Sequence, residues 1–538
     1  MRTKGLKRTT LAVAFTAAFA APCFADNVDP GLSYEEILSE KSEKLFGFEG
    51  PLEQSATDAD VIDRNVAKAE DRQLLADGLK AEFVSRAIGG NGDMITFWPN
   101  DLRYTHLIVC NELGRSDQVT TAFGSYEGQN PSIQRINVRT GKVQTILYGM
   151  DRCDGIRTTQ WGTILATEEA GESGGAYEII NPLRTTGQWI ADRGVQGGPA
   201  DIRDAIGSDT ASTQIVKRTA LVSQSWEGLE VLDNGVVIGG DELRPNLDQD
   251  GGAVFRFVPN TFYDCVGAPV RPGQLCQNRI WRLDQSPLVA GTNYALATVC
   301  SGTDDFGQGC EAGRGIWVGV DAATARIDAN ERGATGYCRP EDLHVDRSYG
   351  IYTGGEGIRW CWNNTCSGGY GETLCVLEDA VAASGVVLDA NFGHNLLANE
   401  DGSLAEALIT RFNEGDEQLN SHDNLDIQPF TSNVYVVEDN NFGDIWACLP
   451  DGADRNFDGD GCVRMLSIRD PEAEPTGFIF DGTGRAAYYH VQHGQQFDEL
   501  RDFDSNPIDG RTDDLIKISG FKLEGDDGKV KGKQDSDD

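Results

Sequence analysis

Gln134-Arg-Ile-Asn-Val-Arg-Thr-Gly-Lys-Val-Gln-Thr-Ile-Leu-Tyr148 holds two short runs, Gln134 to Val138 and Val143 to Tyr148, around the turn Arg139-Thr-Gly-Lys142. Short alternating runs of this kind are strand patterns, and a compact Gly-containing turn between them makes a hairpin. The unit is not isolated. His106-Leu-Ile-Val-Cys110, Thr163-Ile-Leu-Ala166, Val236-Val-Ile238 and Ala253-Val-Phe-Arg-Phe257 read the same way, as do Ile316-Trp-Val-Gly-Val320, Thr373-Leu-Cys-Val-Leu377, Asn433-Val-Tyr-Val-Val437 and Ala487 to Val491. The 64 glycines, many beside Asp or Asn, supply the turns between such runs. Many short strands without long helices between them mean a sandwich, a barrel or a propeller. Roughly 400 residues is too much for one sandwich or small barrel, and repeated four-stranded blades fit the length better, so the expected class is all-β, a β-propeller.

Composition narrows the function. The 538 residues carry a net charge of −39, which excludes a DNA-binding protein held by a basic face and makes an anionic membrane a poor partner. Residues 1–25 read as a signal peptide: Arg2, Lys4, Lys7 and Arg8 precede the apolar stretch Thr10 to Ala21, and Ala25 closes a cleavage site. Its removal takes four of the 46 basic residues and none of the 85 acidic ones, so the mature chain would carry −43. An exported protein, periplasmic or extracellular, is expected, with no membrane span and as a monomer. Residues 26–84 are helix-forming in Tyr34 to Leu45 and Asp60 to Val84 and read as an N-terminal helical extension. The propeller is expected over 85–524, followed by an Asp-, Lys- and Gly-rich disordered tail over 525–538.

Apart from Cys23 there are twelve cysteines, an even number that in an exported chain reads as disulfides. Cys265–Cys276, Cys300–Cys310 and Cys448–Cys462 each flank a short Gly-, Pro- or Asp-rich stretch and are candidate loop staples; the other pairings stay open.

Carboxylates gather where strands should end, in Cys110-Asn-Glu112, Thr167-Glu-Glu169, Ser225-Trp-Glu-Gly228, Arg339-Pro-Glu-Asp342 and Ser421-His-Asp-Asn424. Loops are acidic by default, but five such clusters converging on one channel could form an oxygen-rich cation site. Arg339 could aim a bidentate donor at an oxyanion there, or simply form a salt bridge at a strand edge. Asp454-Arg-Asn-Phe-Asp-Gly-Asp460 has calcium-loop spacing at Asp454, Asn456, Asp458 and Asp460. Met465 stands where an EF-hand places Glu, so an ordinary Asp/Gly turn is an equal reading.

The order of motifs resembles the PhoX family of exported bacterial alkaline phosphatases over about residues 86–495. The stretches are Asn91-Gly-Asp-Met-Ile-Thr-Phe97, Leu107 to Glu112, Arg152-Cys-Asp-Gly155, Trp161 to Glu169, Glu227-Gly-Leu-Glu-Val231, Gly240-Asp-Glu242, Ala253 to Phe257, Arg339-Pro-Glu-Asp342, Asp423-Asn-Leu425 and Val491-Gln-His493. The resemblance implies a six-bladed propeller whose channel holds calcium, with iron as a second candidate cofactor, and which hydrolyses a small-molecule phosphate ester. It implies Glu112, Glu168, Glu169, Glu227, Glu341 and Asp423 as metal ligands, and Arg339 with Asn111 as catalytic residues. Two positions depart from the family. Thr167 stands where similar proteins have an iron-binding cysteine, and Cys110-Asn111-Glu112 replaces Asn-His-Glu. Cys110 either supplies a thiolate from a neighbouring strand end or pairs in a disulfide, as exported cysteines do. Trp226 replaces a usual histidine. The expected function is thus an exported phosphate monoesterase. The alternatives are an inactive calcium-binding propeller and a calcium-dependent hydrolase of the lactonase or phosphotriesterase type.

Overall fold

The computed structural model describes residues 33–115, 130–245, 251–266, 276, 278–299, 311–349, 357–366, 370–378, 407–450, 461–494 and 512–523. Each of the ten runs read as a strand is one, from His106–Asn111 to Ala486–Gln492. Among the described residues they assemble into six blades, and the innermost strand of each blade lines a central channel. In order these strands are Gly92–Trp98, Cys153–Thr158, Trp226–Val231, Pro340–Val345, His422–Ile427 and Glu474–Phe480, and each packs on the next around a closed ring. Successive strands of a blade pair antiparallel outward from the channel, as in His422–Ile427, Val434–Glu438, Asp444–Cys448 and Cys462–Ile468 of blade 5. Blades 3 and 4 share a continuous sheet because Gly313–Val320 pairs with both Gly291–Val299 and Ala407–Glu414. The chain is a β-propeller.

The N-terminal region corrects one expectation. Tyr34–Glu40, capped by Ser33 and Glu36, and Ser42–Leu45 are helical as read. Asp60 to Val84 is not a helix. Gln73–Leu75 pairs with Cys462–Ile468 and widens blade 5, while Lys80–Ile88 pairs with Asp513–Ser519 and completes blade 6. Helix propensity is a weak prior that tertiary pairing overrides: here residues 80–88 cover the edge of the last strand, which would otherwise expose a row of unpaired backbone groups. The signal sequence and the tail lie outside the described residues.

A buried ionic cluster locks this closure. Asp514 on the last strand meets Arg64 at 3.0 Å, Arg86 at 3.1 Å and Arg72 at 3.4 Å, with Arg72 also 3.4 Å from Asp470. Burial would raise the Asp514 pKa, but Arg64, Arg86 and Arg72 hold it at about 2. Removing one partner of a buried pair strands the others in a low-dielectric interior. Asp514→Asn is therefore expected to cost about 3–5 kcal/mol in denaturant unfolding. A cost below about 1 kcal/mol, typical of a surface pair, would show that the cluster does not lock the ring.

Candidate metal centre

The channel mouth is built by one local device repeated around the ring. The residue before the inner strand is left-handed in four blades: Asn91 (φ 56°), Arg152 (φ 51°), Arg339 (φ 53°) and Ser421 (φ 52°). A bulge follows in all six inner strands, after Gly92, Cys153, Trp226, Pro340, His422 and Thr476. There two residues oppose one on the next strand, which bends the strand and re-aims the side chain. The first bulged residue is Asp93, Asp154, Glu227, Glu341 and Asp423 in blades 1–5. In blade 6 it is Gly477, at φ 60° with space for a Cβ closed to 2.2 Å by the Asp93 carbonyl. Blade 6 contributes Glu474 instead, from the start of its strand. A second tier follows the ends of the neighbouring strands, with Glu112, Glu169, Glu242 and Asp439.

These groups line a cavity of about 660 Å³. Its walls include ten carboxylates, from Asp93, Glu112, Asp154, Glu169, Glu227, Glu242, Asp423, Asp439, Glu472 and Glu474, against one arginine, Arg339, and one histidine, His493. Oxygens of Asp154, Glu169 and Glu227 lie within 4.8 Å of one another, and so do those of Glu227, Glu341 and Asp423, so Glu227 belongs to both trios. Asp93 Oδ1, Asp154 Oδ1 and Glu341 Oε2 are buried without a hydrogen-bond partner among the described residues. Arg339 donates from Nε to Glu242 and lies 3.3 Å from Glu341, which also accepts from the Thr365 hydroxyl.

Crowding raises the proton affinity of the whole set. Burial first, then Asp154, Glu341 and Asp423, push Glu227 well above the usual carboxylate range. Burial with Glu341 and Asp93 does the same to Asp423, and burial with Asp93 to Asp154. Glu169 is pushed up to about 11 by burial and its contacts with Glu242 and Glu112. Glu341 rises only to about 8, because Arg339 offsets part of its burial. Buried like charges of this density must take up protons or bind cations. The donors are hard oxygens with unsatisfied lone pairs, which fit calcium-type cations.

The structure brings Glu112, Glu169, Glu227, Arg339 and Asp423 to the cavity wall, with Glu341 directly behind Arg339. Two predicted residues are elsewhere. Glu168 alternates to the opposite side of its strand from Glu169, where Arg193 holds both its oxygens at 2.9 and 3.0 Å and the Asp151 and Gly175 amides donate to it. Asn111 is fully buried, its amide nitrogen spent on the Pro131 carbonyl. Neither is placed to meet a ligand in the cavity.

The thiolate reading of Cys110 is overturned, because Cys110 and Cys153 form a disulfide. All ten described cysteines are paired, in Cys265–Cys276, Cys338–Cys366, Cys361–Cys375 and Cys448–Cys462 besides. The Thr167 hydroxyl is turned to the Gly155 carbonyl at 3.1 Å. Thiolate-held iron therefore does not fit the described residues. Trp226 packs into the core and donates from its indole to the Val222 carbonyl. Cys300–Cys310 and the candidate calcium loop at 454–460 lie outside the described residues. Sequence reasoning missed Asp93, Asp154, Glu242, Asp439 and Glu474. For the first two the signal was present: an acid two residues after a left-handed Asn91 or Arg152, as in Arg339-Pro-Glu341.

No protein-family profile matches the chain, and no curated protein matches it. Solved structures do. PhoX of Pseudomonas fluorescens in complex with vanadate, a transition state analogue, aligns with a TM-score of 0.52 at 14% identity, over 88% of this chain and 98% of that one. A putative gluconolactonase gives 0.36 at 9% identity, over 85% and 97%. The Cps50 (Swd1) propeller domain of Myceliophteria thermophila gives 0.35 at 12%, over 82% and 100%. At 14% identity the likeness to PhoX speaks to the fold alone. The five disulfides suit an oxidising, exported setting, and no described helix is long and apolar enough to cross a membrane.

Proposed function

We propose that the cavity is the active centre of an exported, calcium-dependent phosphatase that hydrolyses phosphate monoesters. The observation that carries this reading is Arg339, the one arginine among the described residues of the cavity wall, held beside two carboxylate trios that share Glu227. Calcium ions held by Asp154, Glu169 and Glu227, and by Glu227, Glu341 and Asp423, would supply positive charge against the phosphate oxygens. Arg339 donates from Nε to Glu242 and meets Glu341 from the same atom, and among the described residues its Nη atoms make no hydrogen bond. The Nη edge of a guanidinium is a planar fork that matches two phosphate oxygens, and its charge is most useful when the transferring phosphoryl group develops extra negative charge. In the reaction the ester P–O bond breaks, water oxygen forms the new P–O bond, and the alcohol leaves with the proton. The fold likeness to a vanadate-bound PhoX supports the same class. Two trios ask for two cations, which sets this reading apart from a single-calcium lactonase.

The test is turnover of p-nitrophenyl phosphate by the mature chain, before and after chelation and with calcium restored. Arg339→Ala is expected to lower kcat/KM by about 10³-fold with the unfolding midpoint retained. Arg339→Lys should recover only part, because a point charge cannot make the bidentate contact. Saturable calcium binding without turnover would leave the inactive-propeller alternative standing instead.

A further inference from the structure

An alkyl ester gives up its alcohol only with a proton, and the side of the cavity away from the trios holds a group suited to deliver one. Both trios and Arg339 belong to blades 2 to 5, and the shared Glu227 sits on blade 3. Blade 6 lies opposite blade 3 in the ring, so a phosphate held by these groups has its free side toward blade 6. There His493 lines the cavity, one residue past the strand Ala486–Gln492 and in a left-handed conformation (φ 57°). Its side chain is 47% exposed, against 13% for Glu474 behind it. Nε2 of the ring meets Oε1 of Glu474 at 3.3 Å, and among the described residues Nδ1 makes no hydrogen bond.

Both neighbours of His493 lead back to the trios. Burial first raises the proton affinity of Glu112; its hydrogen bond with Glu169, the His493 charge and the Gln492 amide, donated at 3.2 Å, offset part of this. Burial, then Asp439 and then Asp423, raise that of Glu474. His493 is thus flanked by Glu112, which contacts Glu169 of one trio, and by Glu474, which lies in the field of Asp423 of the other. The remaining wall residues are not equivalent to it. Arg339 keeps its proton, Asn440, Asn441 and Gln492 do not ionise, and a bound cation favours the ionised carboxylate. Among the described residues of the wall His493 is the one imidazole.

We infer that His493 is the general acid of the reaction, giving its Nδ1 proton to the ester oxygen as the P–O bond breaks, while Glu474 holds the ring through Nε2–H. This rests on the phosphatase reading and adds a catalytic residue to it. The attacking water loses a proton as its oxygen bonds to phosphorus, which restores the imidazolium for the next turnover. Such help counts most when the leaving oxygen is strongly basic, as in an alkyl ester, and least when it is a nitrophenolate.

The experiment compares kcat/KM for glycerol 2-phosphate and p-nitrophenyl phosphate in the calcium-loaded mature chain and in its His493→Gln variant. Glutamine is polar but supplies no acidic proton. The variant is expected to lose about 10²-fold or more on glycerol 2-phosphate, with a loss smaller by about tenfold or more on p-nitrophenyl phosphate. Calcium affinity, read by calorimetry, is expected to hold. Equal losses on the two esters, no loss on glycerol 2-phosphate, or weakened calcium binding would overturn the role of His493 and leave the phosphatase standing. Absence of turnover of both esters by the parent chain overturns both.

Discussion

Glu227→Gln is expected to abolish tight binding of both cations, not one, and to remove turnover with them. Glu227 is the one residue common to the two trios, and it reaches both because the bulge in blade 3 places it between Asp154 on one side and Glu341 and Asp423 on the other. Substitutions that only orient a ligand typically weaken metal affinity by about 10–100-fold, so loss of a shared ligand charge should exceed about 10² for each cation. Calorimetry with calcium gives the count directly. A purely structural glutamate would not give the second signature, a crossover in stability. Without calcium, Glu227 is a buried group surrounded by acids that raise its proton affinity. The neutral amide relieves that repulsion, so the variant should outlast the parent in chelator and fall behind it in calcium. Loss of one cation alone would mean that Glu227 does not bridge. Unchanged binding would mean that the cations are held elsewhere.

The outer parts of the blades could be read from sequence, and the channel could not, for the same physical reason. Runs such as Val434–Glu438 and Ala486–Gln492 pack both faces against apolar neighbours and look like strands. The innermost strands begin Gly92-Asp93, Cys153-Asp154, Pro340-Glu341 and His422-Asp423, a composition that reads as turns. They are strands because their partners hold them, and they are acidic because they face a polar channel and not a hydrophobic core. Glu112 and Glu169, which end a recognisable neighbouring strand, and Glu227, Glu341 and Asp423, which sit in quoted motifs, were found. Asp93, Asp154 and Glu242 also sit in quoted motifs, and Asp439 follows the strand Val434–Glu438, but nothing local marks these acids as facing the channel; Glu474 sits in no quoted motif. Glu168 was misplaced beside Glu169 because choosing between adjacent residues needs the strand register, which flips a side chain to the other face at every step. Cys110 needed its partner Cys153, a residue of the next blade, which no local spacing identifies.

The second large effect is the pH dependence of stability with calcium removed. A carboxylic acid whose folded pKa lies above its unfolded value keeps its proton in the folded state after the unfolded chain has released it. Folding is then opposed as pH rises, by about 1.4 kcal/mol per unit per group until the folded pKa is reached. Glu341, at about 8, acts in this sense from its ordinary value near 4.5 upward, and Glu169 continues to about 11. Two such groups can remove several kcal/mol between about pH 5 and 8, a large share of the 5–15 kcal/mol a domain possesses. Other groups must be separated from them. Burial holds His422 and His490 down at about 4, so they oppose the trend below about 6.5, where the unfolded imidazole is protonated. The slope is therefore read above pH 7. There His344 adds to it: burial and Arg157 would lower its pKa, but Asp342 and Asp426 raise it to about 9, and the stability it lends is lost as pH approaches that value. Glu438, raised to about 8 chiefly by burial, acts in the same direction from outside the cavity wall. Neither belongs to a cation trio, so both cancel when curves with and without calcium are subtracted. Cation binding reverses the sign for the cavity acids alone, because a bound cation favours the ionised form. The unfolding midpoint in chelator should thus fall steeply from pH 7 to 9, and the midpoint in millimolar calcium should change far less. The gap between the two should widen with pH, with protons released on calcium addition in amounts that decline toward high pH. A gap that stays constant or narrows would mean that the cavity acids are already ionised without cations, and the electrostatic case for a cation centre would fail.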